Sequence, residues 1–326
     1  MIDGRGRNID YIRISVTDRC NMRCVYCMPE DGVAKTSHHD ILNFEEILRL
    51  AGLFSRLGVR KIKLTGGEPL CRLGLEELVS GLAAVPGIDC VTLTTNGTGL
   101  ASRAQALRQA GLAAVNISLD TLDPAVYERI TRRPWLDRAL EGLEAARAAG
   151  LPVKVNCVPL LPQQKLWDVA ELARDRAEAV RFIEMMPIGL GKEFSGPGQE
   201  AVAAVLEQRF GPLTPVSERL GNGPAVYYAL PGFRGRIGFI SAVSHRFCGN
   251  CNRVRLTAEG YLIRCLQYDD GTDLRALLRK GASDAVLLEA IAGEITAKPE
   301  GHHFAVSAGP RAGAADETRR MDQIGG

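Results

Sequence analysis

Residues 11–30 read YIRISVTDRCNMRCVYCMPE, a β-branched run that leads into a loop carrying Cys20, Cys24 and Cys27. A zinc ion or an iron–sulfur cluster held wholly by protein takes four ligands, and the next cysteine along the chain is Cys71. The spacing C-x3-C-x2-C therefore either recruits a distant fourth ligand or leaves one position open. An open position is where chemistry takes place.

Outward from this stretch the same unit recurs. The runs RKIKLT, DCVTLTT, AAVNISL, PVKVNCV and AVRFIEM follow as far as residue 186. Between the runs lie amphipathic patterns such as NFEEILRLAGLFSRLG and DRALEGLEAARAAG, several closed by a glycine as a helix C-terminus would be. Strands separated by helices imply a parallel sheet with right-handed crossovers. Six units fall two short of the eight that close a full barrel, so the expected fold is α/β, an incomplete TIM-type (β/α)6 barrel. Polar and glycine residues follow the strands: the cysteine loop, GGEP at 66–69, TTNG at 94–97 and SLD at 118–120. The fifth and sixth runs carry Lys154, Asn156, Glu184 and Met186. Parallel α/β folds place their sites at the carboxyl ends of strands.

After about residue 190 the pattern changes. GLGKEFSGPG is followed by a helix near 199–210, strand-like pieces including RIGFISAV and NRVRL, two short helical patterns and a polar tail ending in Gly325 and Gly326. The expected division is a partial barrel in 1–190 and a C-terminal extension in 191–326. The extension carries a second trio, Cys248, Cys251 and Cys265. His245 beside it leaves a zinc site of one histidine and three cysteines open, as His38 or His39 does for the first trio.

The chain has 326 residues, 46% of them hydrophobic, enough for one large core or two medium ones. A formal net charge of +2 gives no reason to expect a nucleic-acid or membrane-surface partner. No run of about 18 apolar residues is present, and MIDGRGRNID lacks the apolar centre of a signal peptide, so the expected location is cytoplasmic. Nine cysteines, an odd number, in a reducing compartment point to metal or catalysis rather than a disulfide framework. Cys71, Cys90 and Cys157 read as inert thiols, and His302 and His303 as surface or packed residues.

CNMRCVYC after a first strand with GGEP after a second resembles the radical S-adenosylmethionine superfamily. Within it, SVTDRCNMRCVYCMP, LTGGEPL, LTTNG, NISLD, RFIEMM, FCGNCNRVRL and the terminal IGG resemble the GTP 3′,8-cyclase family, known as molybdenum cofactor biosynthesis protein A. The resemblance implies two 4Fe-4S clusters, one on each cysteine trio, with S-adenosyl-L-methionine on the open iron of the first and the guanine base on that of the second. It implies that Tyr26, Gly67, Ser118 and Met186 touch S-adenosylmethionine, while Glu68 shapes the pocket for its amino group. GTP would be held by Arg13, Lys63, Thr94, Lys154, Arg253, Val254 and Arg255, with Arg181 a further phosphate ligand. Lys63 stands where arginine is the commoner residue, and CVPLLPQQKLWD is less polar than the loop expected there. The reaction implied takes hydrogen from the ribose 3′ carbon and joins that carbon to guanine carbon 8, a lyase step toward molybdopterin, with Gly325 and Gly326 threaded into the active site. A low-potential electron donor, a cyclic pyranopterin monophosphate synthase receiving the product and a homodimer are the partners implied. Another two-cluster radical enzyme, for example one that modifies a peptide, shares the first trio and GGEP; a zinc or electron-carrier module is the non-enzyme alternative.

Overall fold

Alternation decides which way the strands face. In β1 (Tyr11–Ser15) Ile12 and Ile14 are wholly buried in the apolar core while Arg13 between them lines a cavity. The same period of two runs through β2 (Lys61–Thr65), β3 (Cys90–Thr95), β4 (Ala114–Ser118), β5 (Val153–Cys157) and β6 (Ala179–Ile183). Ile62, Leu93, Val115, Val155 and Val180 enter the core, and Lys63, Thr92, Asn116, Lys154 and Arg181 turn to the cavity. An ordinary closed barrel fills its interior with branched apolar side chains. Here the interior is polar and hollow.

The computed structural model describes residues 1–34, 36–218, 220–304 and 320–324. The crossovers are α1 (Phe44–Arg56), α2 (Leu75–Ala83), α3 (Ala104–Gln109), the pair α4 (Pro124–Thr131) and α5 (Leu136–Ala148), and α6 (Leu166–Glu171). Local sequence sets their starts. Asn43 accepts the Glu46 N–H at 2.7 Å while Glu46 accepts the Asn43 N–H at 2.8 Å, a capping box. Asp123 caps α4, with Pro124 in its first turn.

The extension holds α7 (Gln199–Phe210), β7 (Thr214–Val216), β8 (Val226–Ala229), β9 (Arg236–Ile240), β10 (Arg253–Leu256), β11 (Tyr261–Ile263), β12 (Gly271–Asp273), α8 (Leu274–Arg279), α9 (Asp284–Thr296) and the short α10 (Met321–Ile324). Its strands continue the sheet instead of forming another, in the order β12-β11-β10-β1-β2-β3-β4-β5-β6-β9-β8-β7. β10 pairs parallel to β1, with Arg13 opposite Arg255, and β9 pairs parallel to β6, with Arg181 opposite Gly238. The partial barrel of six central strands is thus flanked by one parallel strand at each edge. The segment 241–252, with Cys248 and Cys251, leads from one edge to the other. No helix among the described residues is long and apolar enough to cross a membrane.

Candidate active site

The first cysteine loop lies against the end of α4. The Arg23 and Val25 N–H groups donate to the Thr131 and Ile130 carbonyls at 3.0 and 2.9 Å. Arg132, in the left-handed region at φ 55°, sends Nη1 back to the Arg23 and Met28 carbonyls at 3.1 and 3.2 Å. Arg23 donates to the Cys20 and Met22 carbonyls, and Arg133 to that of Asn21. Arginines therefore hold the loop by its main chain and leave its thiols to the cavity, which Cys20, Cys24 and Cys27 line. Burial pushes the Cys20 thiol up to about 12 and raises Cys24 well above the usual thiol range, so metal binding there displaces protons.

Gly66 and Gly67 bring the next strand end against the start of this loop. The Gly67 N–H donates to Thr17 O at 2.8 Å and the Glu68 N–H to Arg19 O at 2.7 Å. Glu68, 2% exposed, accepts from the Leu70 N–H, the Thr95 hydroxyl and the Asn96 N–H at 3.0, 2.7 and 2.7 Å. Its carboxylate is thus a tie between the β2 and β3 ends. Burial raises its pKa against those three donors. Tyr26 donates its hydroxyl to Asp120 at 2.8 Å, and Asp120 also accepts the Val158 N–H. Burial lifts the Asp120 carboxyl to about 6. Gln164 completes this corner, donating to Asp120 O and accepting the Leu160 and Leu161 N–H groups at 2.6 Å each. One buried glutamine satisfies the backbone of the loop whose letters read as apolar.

The sequence-expected cations converge. Arg13, Lys63, Lys154, Arg181, Arg253 and Arg255 all line one cavity of about 490 Å3, together with Thr94, Tyr26, Gly67, Ser118 and Met186. Lys63 is held well below the ordinary ammonium range, by burial first and then by Arg181, Arg13 and Lys154. Arg255 is lowered by burial, then by Arg13 and Arg253. A buried group of like charges is costly unless an anion answers it. Val254 differs from its neighbours: its side chain is 1% exposed in the apolar core, and it is not among the residues that line the cavity.

The second trio stands beside the same cavity, whose wall includes Phe247, Leu266 and Arg253, with the Arg253 guanidinium 4.9 Å from the Phe247 ring centroid. The three thiols are half-buried and near enough to interact: after burial, Cys251 and Cys248 both raise Cys265. Burial also works to raise Cys251, but Lys298, Arg253 and Arg7 reverse this and bring it down to about 7. Arg7 is the organiser. It pairs with Asp3 at 2.7 Å and donates to the carbonyls of Cys248, Lys298, Pro299 and Glu300. Glu184 ties the crossing segment to β6 by accepting the Val243 and Ser244 N–H groups.

The histidines turn elsewhere. His245 faces Ser244 Oγ at 3.2 Å and Glu200 at 3.5 Å. His38 meets Arg19, and His39 lies beside Asp40. His302 is buried and stacked on Phe304. Among the described residues no three His, Cys, Asp or Glu side chains are placed to hold one metal ion. Thiolates that each take a different corner iron of a cubane need not converge on one point, so both donor sets fit a cluster with an open corner. Gly325 and Gly326 lie outside the described residues, but α10 just before them puts Met321 in the cavity wall and buries Ile324 against Ile188 and Ile263.

The family model described as Radical SAM superfamily matches residues 14–175, and that described as Molybdenum Cofactor Synthesis C matches residues 178–304. Among solved structures, Streptococcus suis SuiB bound to precursor peptide SuiA superposes with a TM-score of 0.60 at 15% identity, covering 83% of this chain and 64% of that one. SuiB bound to S-adenosylmethionine gives the same score, over 87% of this chain and 68% of that one. The fold is thus that of a radical S-adenosylmethionine protein with a C-terminal extension. Proteins named GTP 3′,8-cyclase from Syntrophomonas wolfei and Pelotomaculum thermopropionicum are 45% and 46% identical to it, each over the whole of both chains. The chain belongs to the GTP 3′,8-cyclase family.

Proposed function

We infer that this chain is an enzyme, a GTP 3′,8-cyclase of molybdenum cofactor biosynthesis. The observation that carries the reading is one cavity walled by six cationic side chains, bounded by one cysteine trio and flanked by the other. When bound, the 4Fe-4S clusters and S-adenosylmethionine supply the low-potential electron and the 5′-deoxyadenosyl radical that takes hydrogen from the ribose 3′ carbon. The protein's own work is orientation and exclusion of water. Cys20, Cys24 and Cys27 would hold the first cluster; Cys248, Cys251 and Cys265 would hold the second, which would supply an open iron for the guanine. Tyr26, Gly67, Ser118 and Met186 seat S-adenosylmethionine, with Tyr26 braced by Asp120. Arg13, Lys63, Lys154, Arg181, Arg253 and Arg255 receive the triphosphate, and the strand alternation fixes their direction. Thr94 and the Val254 main chain complete the nucleotide contacts. A low-potential electron donor, a cyclic pyranopterin monophosphate synthase taking the product, a homodimer and a cytoplasmic location belong to the same reading, as does the division at residue 190.

Anaerobic incubation of reconstituted protein with S-adenosylmethionine, reductant and GTP tests the reading: 5′-deoxyadenosine should form only when GTP is present. Formation driven by a peptide library instead would select a peptide-modifying enzyme. The likeness to SuiB, at 15% identity, extends to the fold alone.

Cation truncation gives a sharper expectation. Arg255→Ala and Lys154→Ala should each weaken GTP by about 1.5 to 3 kcal/mol, the worth of a charge-assisted contact, and change guanosine far less. Equal losses for guanosine and GTP in equilibrium dialysis would show that these side chains position the base or the fold.

Deleting Gly325 and Gly326 should leave both clusters and GTP binding nearly intact while greatly reducing hydrogen abstraction and cyclisation. Support comes from α10, which puts Met321 in the cavity wall four residues before Gly325, and from the small cross-section of glycine. Wild-type turnover of the truncated protein would remove the tail from the mechanism.

A further inference from the structure

The amino-end floor of the cavity carries a carboxylate. Glu178, the residue before β6, places Oε2 3.0 Å from Lys154 Nζ, and both residues line the cavity. Lys154 keeps only 10% of its side chain exposed, whereas Glu178 keeps 45%. Glu178 is fixed by its main chain, its N–H donating to Val153 O and its carbonyl accepting from Arg236. Beyond it lies a second depression of about 470 Å3 on the same end of the barrel. Glu178, Pro152 and Leu220 line both spaces, so the Lys154–Glu178 pair stands in the partition between them. The Leu220–Pro224 loop closes over the pair: a Cβ on Gly221, φ 96°, would lie 3.8 Å from Lys154 Nζ.

We propose that Glu178 is a specificity-determining residue, an anionic gate that occupies Lys154 and must yield it to the terminal phosphate of the nucleotide. The proposal rests on the GTP reading above and extends it to a group that the cationic inventory omits. Lys154 is one of the cavity cations that would receive the triphosphate and already pairs with Glu178, so the phosphates and Glu178 compete for the same ammonium. A phosphate seated there also meets the Glu178 charge directly, and like charges at such range repel. The gate therefore weakens binding in proportion to how far the phosphate chain reaches. A guanosine that never reaches the floor does not sense it. A nucleotide whose product keeps its triphosphate is released more readily from such a floor.

The test uses the full-length, anaerobically reconstituted protein and Glu178→Gln, with dissociation constants for GTP, GDP, GMP and guanosine at two ionic strengths. Glu178→Gln should tighten GTP roughly 5- to 150-fold, the span of an ordinary coupling between two sites. The gain should shrink through GDP and GMP to none for guanosine, and fall at higher salt. Glu178→Asp, which keeps the charge, should stay close to wild type. Unchanged GTP affinity, or an equal change for all four ligands, would overturn the gate. Weaker GTP binding would also overturn it and make Glu178 a support for Lys154. Wild-type protein that binds guanosine as tightly as GTP would instead sink the triphosphate reading beneath the proposal, a result read before any variant is made.

Discussion

Cys24→Ala protein should lose S-adenosylmethionine cleavage to background, because on the proposed reading this thiol would help to hold the cluster that supplies the electron. Iron should fall by about half, since one of two four-iron sites goes. GTP affinity should stay near the wild-type value, as the cations proposed to hold it stand on the strands and not on the cysteine loop. Cys251→Ala should do the reverse, damaging GTP recognition most. Iron analysis, a cleavage assay and equilibrium dialysis on the two variants check the division. The same loss of iron and of GTP binding in both would refute it.

Gly67→Ala should cost about 100-fold in activity through a single methyl group. A Cβ at Gly67 would sit 2.5 Å from Arg19 O and 2.7 Å from Asp18 O. Both are main-chain atoms of the segment entering the cysteine loop, held there by the Gly67 and Glu68 N–H donors. Neither can swing aside as a side chain could. The loop must move by about 1 Å, and a misplacement of that size costs on the order of 100-fold where groups must align. S-adenosylmethionine affinity and deoxyadenosine formation should fall together while GTP affinity and circular dichroism hold. Full activity in Gly67→Ala would mean that the close approach has no role. Gly66 meets Thr17 O at the same 2.5 Å, so Gly66→Ala should behave alike.

Much of this site was legible in the letters because strand alternation is a local rule. Arg13, Lys63, Lys154, Arg181 and Arg255 each sit between apolar residues on a strand, Arg253 opens β10 two residues before Arg255, and a period of two sends them all to one side. What the letters hid depends on pairings distant in sequence. That β9 and β10 would join opposite edges of one sheet cannot be read from RIGFISAV or NRVRL, since short strands carry no signature of their neighbour. Arg7, in an N-terminal stretch without periodicity, gave no sign that it reaches Cys248 and residues 298–300. Glu178 reads as an ordinary surface glutamate before a strand. Asp120 and Gln164 were similarly silent; an aspartate at a strand end and a glutamine in a loop of apolar letters show their bond only when folded. Val254 was placed among the nucleotide ligands by its motif, and the alternation that turns Arg253 and Arg255 inward turns its side chain away.

The Arg7 hub bears on the order in which the two metal sites can mature. The first draws its supports from residues 17–164, so it can be shaped while the rest of the chain is still being made. The second needs Arg7 from the beginning of the chain, Cys248, Cys251 and Cys265 from its last third, and the 298–300 carbonyls from near its end. Until translation is nearly finished those parts cannot meet. The second site should therefore take its cluster only after residues 298–300 have been made, and Arg7 joins segments almost 300 residues apart at the place where it would sit.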